Sequence, residues 1–316
     1  MSKMRLSLGP GATPIGTALS PKVCRVFQAI TRFLQQDGIT IIGGLSGHGK
    51  TWIMLAMVRA LLEGGKLFHY FRVAEPSARV IYLIPEAGLS SFVERIQKFH
   101  LEKHVRAGRF FYQTLSSKHP LTLTDPRMLA AVKGADVFLD TVARFATGEE
   151  NSATEQKLFA ETLFRLQRAG ARTIVGAHHA PKSFEKAELM TLENILRGSG
   201  DIGAMLTTCW GLRQLDAASN RIFLQNVKAR DFEAAPPFII QGRPSIDNEG
   251  YFELTEPPGY AGTLSDNKAK VGRPLIADKE SKTADAKRLK EQGMSIREVA
   301  GVLRVGKGSV ERMLKS

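Results

Sequence analysis

The chain has 316 residues, 43% of them hydrophobic and 24% charged, an ordinary globular composition with room for one large core and something smaller beside it. No run approaches the roughly 18 apolar residues that span a bilayer, and Gly9, Pro10, Gly11 and Pro14 interrupt any signal-like stretch near the start, so the expectation is a cytoplasmic protein without a membrane. The formal net charge of +13, with pI near 9.8, favours a polyanionic partner such as nucleic acid, while Cys24 and Cys209 have neither metal-ligand nor redox spacing.

In chain order, short runs rich in Ile and Val alternate with longer helical patterns from about residue 38. Strands are predicted at 39–43, 80–84, 110–112, 137–139 and 173–177, and then at 205–212 and 222–227 around the polar stretch 216–220, followed by 238–240 and 251–254. This is an α/β pattern: a mostly parallel sheet with flanking helices and an antiparallel hairpin extension. Pro257, Pro258, Gly259 and Gly262 open an aperiodic stretch that reads as a linker. The organisation predicted is a flexible N-terminus at 1–20, a main domain at 21–256, a linker at 257–271 and a small all-α domain at 272–316. Residues 261–316 hold 13 Lys plus Arg against 7 Asp plus Glu, so the tail is the more densely positive part.

Gly44-Leu45-Ser46-Gly47-His48-Gly49-Lys50-Thr51 satisfies the phosphate-loop spacing G-x-x-x-x-G-K-[ST] between a predicted strand and a helix predicted at 52–62. Gly44, Gly47 and Gly49 let backbone N–H groups, with those of Ser46, His48 and Trp52 beside them, turn toward phosphates at a helix N-terminus. Lys50 supplies a cation to the outer phosphates and Thr51 a hydroxyl to Mg²⁺. The cofactors implied are ATP and Mg²⁺. Asp140 closes the apolar run Val137-Phe138-Leu139, where a second metal-holding carboxylate belongs. Glu86 follows another strand and could polarise an attacking water, or be a solvated loop carboxylate. His178 and His179 follow the strand at 173–177, as structural residues or as sensors of the γ-phosphate.

Over about residues 38–232 these motifs resemble the RecA-like ATPases, most closely the RepA-type hexameric replicative helicases of plasmids and phages. Besides the phosphate loop, the resemblance rests on Tyr82 to Glu86, Phe138-Leu139-Asp140, Arg144-Phe145, Glu149-Glu150-Asn151, His178-His179-Ala180-Pro181-Lys182 and Arg197-Gly198-Ser199. It implies Glu86 as catalytic glutamate, Asp140 as the magnesium aspartate and one histidine at the γ-phosphate. Lys228-Ala229-Arg230 resembles the K-x-R element by which ring helicases reach a neighbouring subunit's ATP; a charged hairpin turn is the alternative. Thr141, where the family has proline, and His48, inside the loop, depart from the pattern.

In the tail, Ser295-Ile296-Arg297-Glu298 forms a capping box ahead of an apolar helix face, and helical spacing recurs at 284–289 and 307–314. This segment resembles the helix-turn-helix domains of resolvases and invertases, with Gly272-Arg273-Pro274 like their minor-groove arm. The resemblance implies DNA contacts from Arg273, Lys307, Ser309 and Arg312; a trihelical protein-docking module is the alternative. The leading expectation is an ATP-hydrolysing, homo-oligomeric DNA motor or remodeller, hexameric by resemblance, taking single-stranded DNA at its core and duplex at its tail. A sequence-specific DNA-binding regulator or recombination accessory with ATP-controlled assembly is the second, and a small-molecule kinase the third.

Overall fold

The computed structural model describes residues 27–145, 153–187, 189–196, 200–216, 220–242, 252–262, 279–303 and 307–315. The chain divides into two compact units, Met1–Asn267 and Lys268–Ser316. The larger is built on a nine-stranded sheet of β1 (Ile39–Gly44), β2 (Val80–Ile84), β3 (Phe110–Thr114), β4 (Asp136–Leu139), β5 (Thr173–His179), β6 (Thr208–Asp216), β7 (Arg221–Ala229), β8 (Phe238–Gly242) and β9 (Phe252–Glu256). Their spatial order is β9-β8-β7-β6-β1-β5-β4-β2-β3. The six strands from β6 to β3 in that order pair in parallel, and β6 to β9 pair antiparallel in succession.

The sequence dictates this arrangement. β1 and β2 are buried along their whole length, as expected of strands covered on both faces by crossover helices. On one face Ile42, Tyr82, Phe138 and Trp210 pack with the helix α1 (Lys50–Glu63) and with Phe92 and Ile96 of α2 (Leu89–Lys98). On the other, Ile41, Leu83, Val137 and Ile174 pack with Phe159, Leu163 and Leu166 of α3 (Ala153–Arg168). The result is a three-layer α/β core of RecA-like type. Asp136, fully buried at the start of β4, is held by Arg172 through Nε at 2.8 Å and Nη2 at 2.5 Å, which joins the beginnings of β4 and β5.

Several boundaries differ from the sequence expectation by one to four residues, and two of them bear on how the sequence is read. His178 and His179 end β5 rather than follow it, because Gly43 and Gly44 of β1 continue the parallel ladder alongside them. Residue 205 belongs not to a strand but to the helix α4 (Gly200–Met205), and β6 begins only at Thr208. An apolar run there satisfied both periodicities.

The smaller unit holds α5 (Lys279–Glu291), α6 (Ile296–Val302) and α7 (Lys307–Lys315) around Ala286, Val299, Val310 and Met313. The capping box is present: Ser295 Oγ accepts from Glu298 N–H, and Glu298 Oε2 accepts from Ser295 N–H at 2.8 Å. Lys307, Ser309 and Arg312 fall on α7, but their side chains lie outside the described residues, as do Arg273 and the segments 149–151, 197–199 and 304–306. Among the described residues no helix is long and apolar enough to cross a membrane.

Candidate active site

Because β1, β2, β4 and β5 run in parallel, their carboxyl ends open on one edge of the sheet, where α/β folds place ligands. The phosphate loop leaves β1, Glu86 follows β2, Asp140 follows β4 and His179 ends β5. Together they border a cavity of about 430 Å³ lined also by Ser46, Gly47, Gly49, Lys50, Thr51 and Trp52.

Local chemistry shapes the loop. Gly47 and Gly49 have φ of 80° and 89°, a left-handed conformation that side chains resist, and a Cβ at Gly49 would lie 2.9 Å from Ile222 Cδ1. Gly49 is also the N-cap of α1, with no side-chain cap and no acidic residue in the first turn, so the positive end of that helix faces the cavity. Lys50 is buried and donates from Nζ to Gly44 O and Leu45 O, each at 2.8 Å. Burial lowers its pKa to about 8, against the opposing pull of Asp140 and Glu86.

Thr51 and Asp140 meet directly: Thr51 Oγ1 donates to Asp140 Oδ2 at 2.7 Å, and the Tyr82 hydroxyl donates to the same oxygen at 2.9 Å. Burial raises the Asp140 pKa, while Thr51, Tyr82, Lys50 and Arg95 oppose it. The peptide bond from Asp140 to Thr141 is cis. Among the described residues no group of three or more His, Cys, Asp or Glu could hold a metal. One hydroxyl and one carboxylate beside a phosphate cavity suit Mg²⁺, which takes few protein ligands and completes its shell with phosphates and water. The residues therefore fit a Mg²⁺-nucleotide.

Glu86 receives Arg144 Nε on Oε1, with Thr141 Oγ1 at 3.5 Å from the same atom. Of the two histidines, His179 borders the cavity, whereas His178 points away into the protein and is buried; burial, with His179 and Lys50 nearby, lowers its pKa to about 4. His48 turns to the other side of the loop. Its Nδ1 accepts from Gln214 N–H at 3.3 Å, and it borders a smaller cavity of about 110 Å³ with Trp52, Asn220, Ile222 and Phe252. Gly44 lies beneath the loop, against Leu212 of β6.

A protein-family comparison matches residues 25–185 to an AAA domain, just over half of the chain. The chain belongs to the AAA-domain family. It is thus a nucleotide-binding P-loop ATPase domain, and the match takes in the phosphate loop, Glu86, Asp140 and both histidines. A search of the curated proteins finds no match. The strands β6 to β9 and the small helical unit of this AAA-domain protein lie outside the matched residues.

Lys228 and Arg230 are not near the cavity. β7 runs against β6, so Ala229 pairs with Thr208, which pairs with Thr40 at the start of β1. That is about 13 Å of strand from Gly44. There Lys228 Nζ donates to Gly203 O at 2.6 Å and Arg230 Nη2 to Ala204 O at 2.5 Å, both in the last turn of α4, where cations meet the negative helix end.

Sequence reasoning assigned no role to three residues at the site. Ser91 and Arg95, four apart on α2, share one helix face and border the cavity while Phe92 and Ile96 face the core; that spacing was the available signal. The Arg95 guanidinium lies 5.8 Å from the centre of the Trp52 ring. The third is Tyr82, whose partner is 58 residues away and invisible to local pattern.

Proposed function

We propose that the chain hydrolyses ATP with Mg²⁺ and couples hydrolysis to work on DNA as a homo-oligomer of RepA-like helicase type. The observation that carries the reading is the convergence of Lys50, Thr51, Glu86, Asp140 and His179 on one cavity at the carboxyl ends of four parallel strands. In it Lys50 and the first turn of α1 bind the outer phosphates, and Thr51 and Asp140 hold the metal. When bound, Mg²⁺ supplies neutralisation of the charge on those phosphates. Glu86 orients the attacking water, with Arg144 fixing its carboxylate, and His179 faces the γ-phosphate.

Lys228 and Arg230 cannot serve their own subunit's phosphates from the opposite sheet edge, which supports a role in a neighbour's site. The net charge of +13 and the basic helical unit support DNA as the partner. The expected result is ATPase activity stimulated by single-stranded DNA, with strand separation on a forked substrate. Unstimulated hydrolysis without strand separation at any protein concentration sinks the motor reading; protection of one particular duplex sequence by such a protein favours the regulator.

Lys50 gives the reading a pH signature. Its pKa is about 8 in the free protein, and polyphosphate raises it, so binding takes up a proton above that value. Nucleotide affinity is expected to be level below pH 8 and to fall by up to about tenfold per pH unit above it. Calorimetry in two buffers of different ionisation heat checks the proton uptake; equal affinity from pH 7 to 9.5 contradicts it.

A further inference from the structure

Tyr82 occupies an interior position on β2 that a phenylalanine would fill equally well as a hydrophobic residue. It is fully buried, its ring stacks on Phe138 of β4 with centroids 5.7 Å apart and planes 5° from parallel, and Phe92 lies 5.2 Å away. A buried hydroxyl is costly unless paired. Here it is paired with a carboxylate that is itself only 4% exposed.

The geometry of that pairing is specific. Two donors from different elements, Thr51 on α1 and Tyr82 on β2, converge on one oxygen of Asp140, Oδ2. A carboxylate held at one oxygen from two directions cannot rotate about its last torsion without breaking a charge-assisted hydrogen bond, and its other oxygen is left for the cavity that Asp140 borders. Thr51 is also a metal-holding group and moves with the phosphate loop. Tyr82, wedged between Phe138 and Phe92, is the fixed member of the pair.

We propose that Tyr82 is the positioning residue of the metal site: its hydroxyl holds Asp140 Oδ2 so that Oδ1 stays turned toward Mg²⁺ on a bound nucleotide. The inference rests on the reading of the cavity as a Mg²⁺-nucleotide site. Tyr82 touches neither metal nor phosphate and acts through Asp140 alone. Losing a partner that orients a metal ligand typically weakens metal binding by about 10- to 100-fold.

The test compares ADP affinity of the full-length protein with Mg²⁺ and with EDTA, read by the fluorescence of Trp52, which borders the cavity; Trp210 is buried on Phe33. The ratio of the two affinities is the magnesium factor. In Tyr82→Phe the factor is expected to drop about tenfold or more while affinity in EDTA stays at the wild-type value. An unchanged factor overturns the proposal, and so does a parallel loss of both affinities, which marks a general packing role. Phe110→Leu removes a ring that meets Tyr82 edge-on outside that wedge, with the hydroxyl and both wedging rings in place. It is expected to lower thermal stability and keep the factor, and loss of the factor there overturns the proposal even if Tyr82→Phe does not fold. Wild-type protein that binds no ADP, or binds it without regard to Mg²⁺, refutes instead the nucleotide-site reading beneath it.

Discussion

Lys50→Ala is expected to lower ATP turnover by about 10²- to 10³-fold or more, the range for removing one pre-positioned electrostatic group from a site of charge development. Its Nζ is the cation nearest the loop, drawn in by Gly44 O and Leu45 O, and nothing else on the loop replaces it. Stability is expected to move little. The ammonium is buried at a desolvation cost, reflected in a pKa near 8, so alanine forfeits two hydrogen bonds but also relieves that cost. Phosphate release and a thermal melt on the same preparation separate the two effects. Turnover equal to wild type would refute the assignment of the loop.

Arg230→Ala is expected to reduce turnover by about 10³-fold or more, as for arginines supplied to a phosphoryl-transfer site from another subunit, and to leave nucleotide binding nearly intact. Its distinguishing feature is complementation. Each Lys50→Ala subunit retains a working Arg230, and each Arg230→Ala subunit retains a working phosphate loop, so a mixture is expected to recover part of the activity that neither has alone. Absence of recovery at any mixing ratio removes the support for action between chains. Because Arg230 also bonds Ala204 O at the end of α4, the melt of the variant alone is the control for a local packing loss.

Much of this was legible along the chain, for identifiable reasons. The strand cores of β1, β2, β4 and β5 are short apolar runs between helical stretches, and a parallel sheet buried on both faces leaves that trace. The phosphate loop was readable because backbone conformation itself demands glycine at Gly47 and Gly49. Asp140 and Glu86 could be placed because residues just beyond parallel strands share one edge whatever their distance in sequence. What did not show was contact across elements. Nothing near Tyr82 announces Asp140, nothing near His48 announces Gln214, and only three-dimensional alternation along β5 separates His179 in the cavity from His178 in the core. The beginning of β6 was misplaced by a few residues because Met205 and Leu206 are apolar in either periodicity, and the turn out of α4 is set by its packing rather than by a sequence signal.

The reversal of β7 relative to β1 has one consequence for assembly. It puts the phosphate loop and the Lys228–Arg230 pair on opposite edges of a single sheet. Where one subunit's Lys228–Arg230 pair serves the next subunit's loop through a contact repeated in the same sense, that contact is head-to-tail and heterologous. Such contacts either close or grow. In an open row one terminal loop always lacks its partner cations, and the share of complete sites rises with length; only closure completes every one.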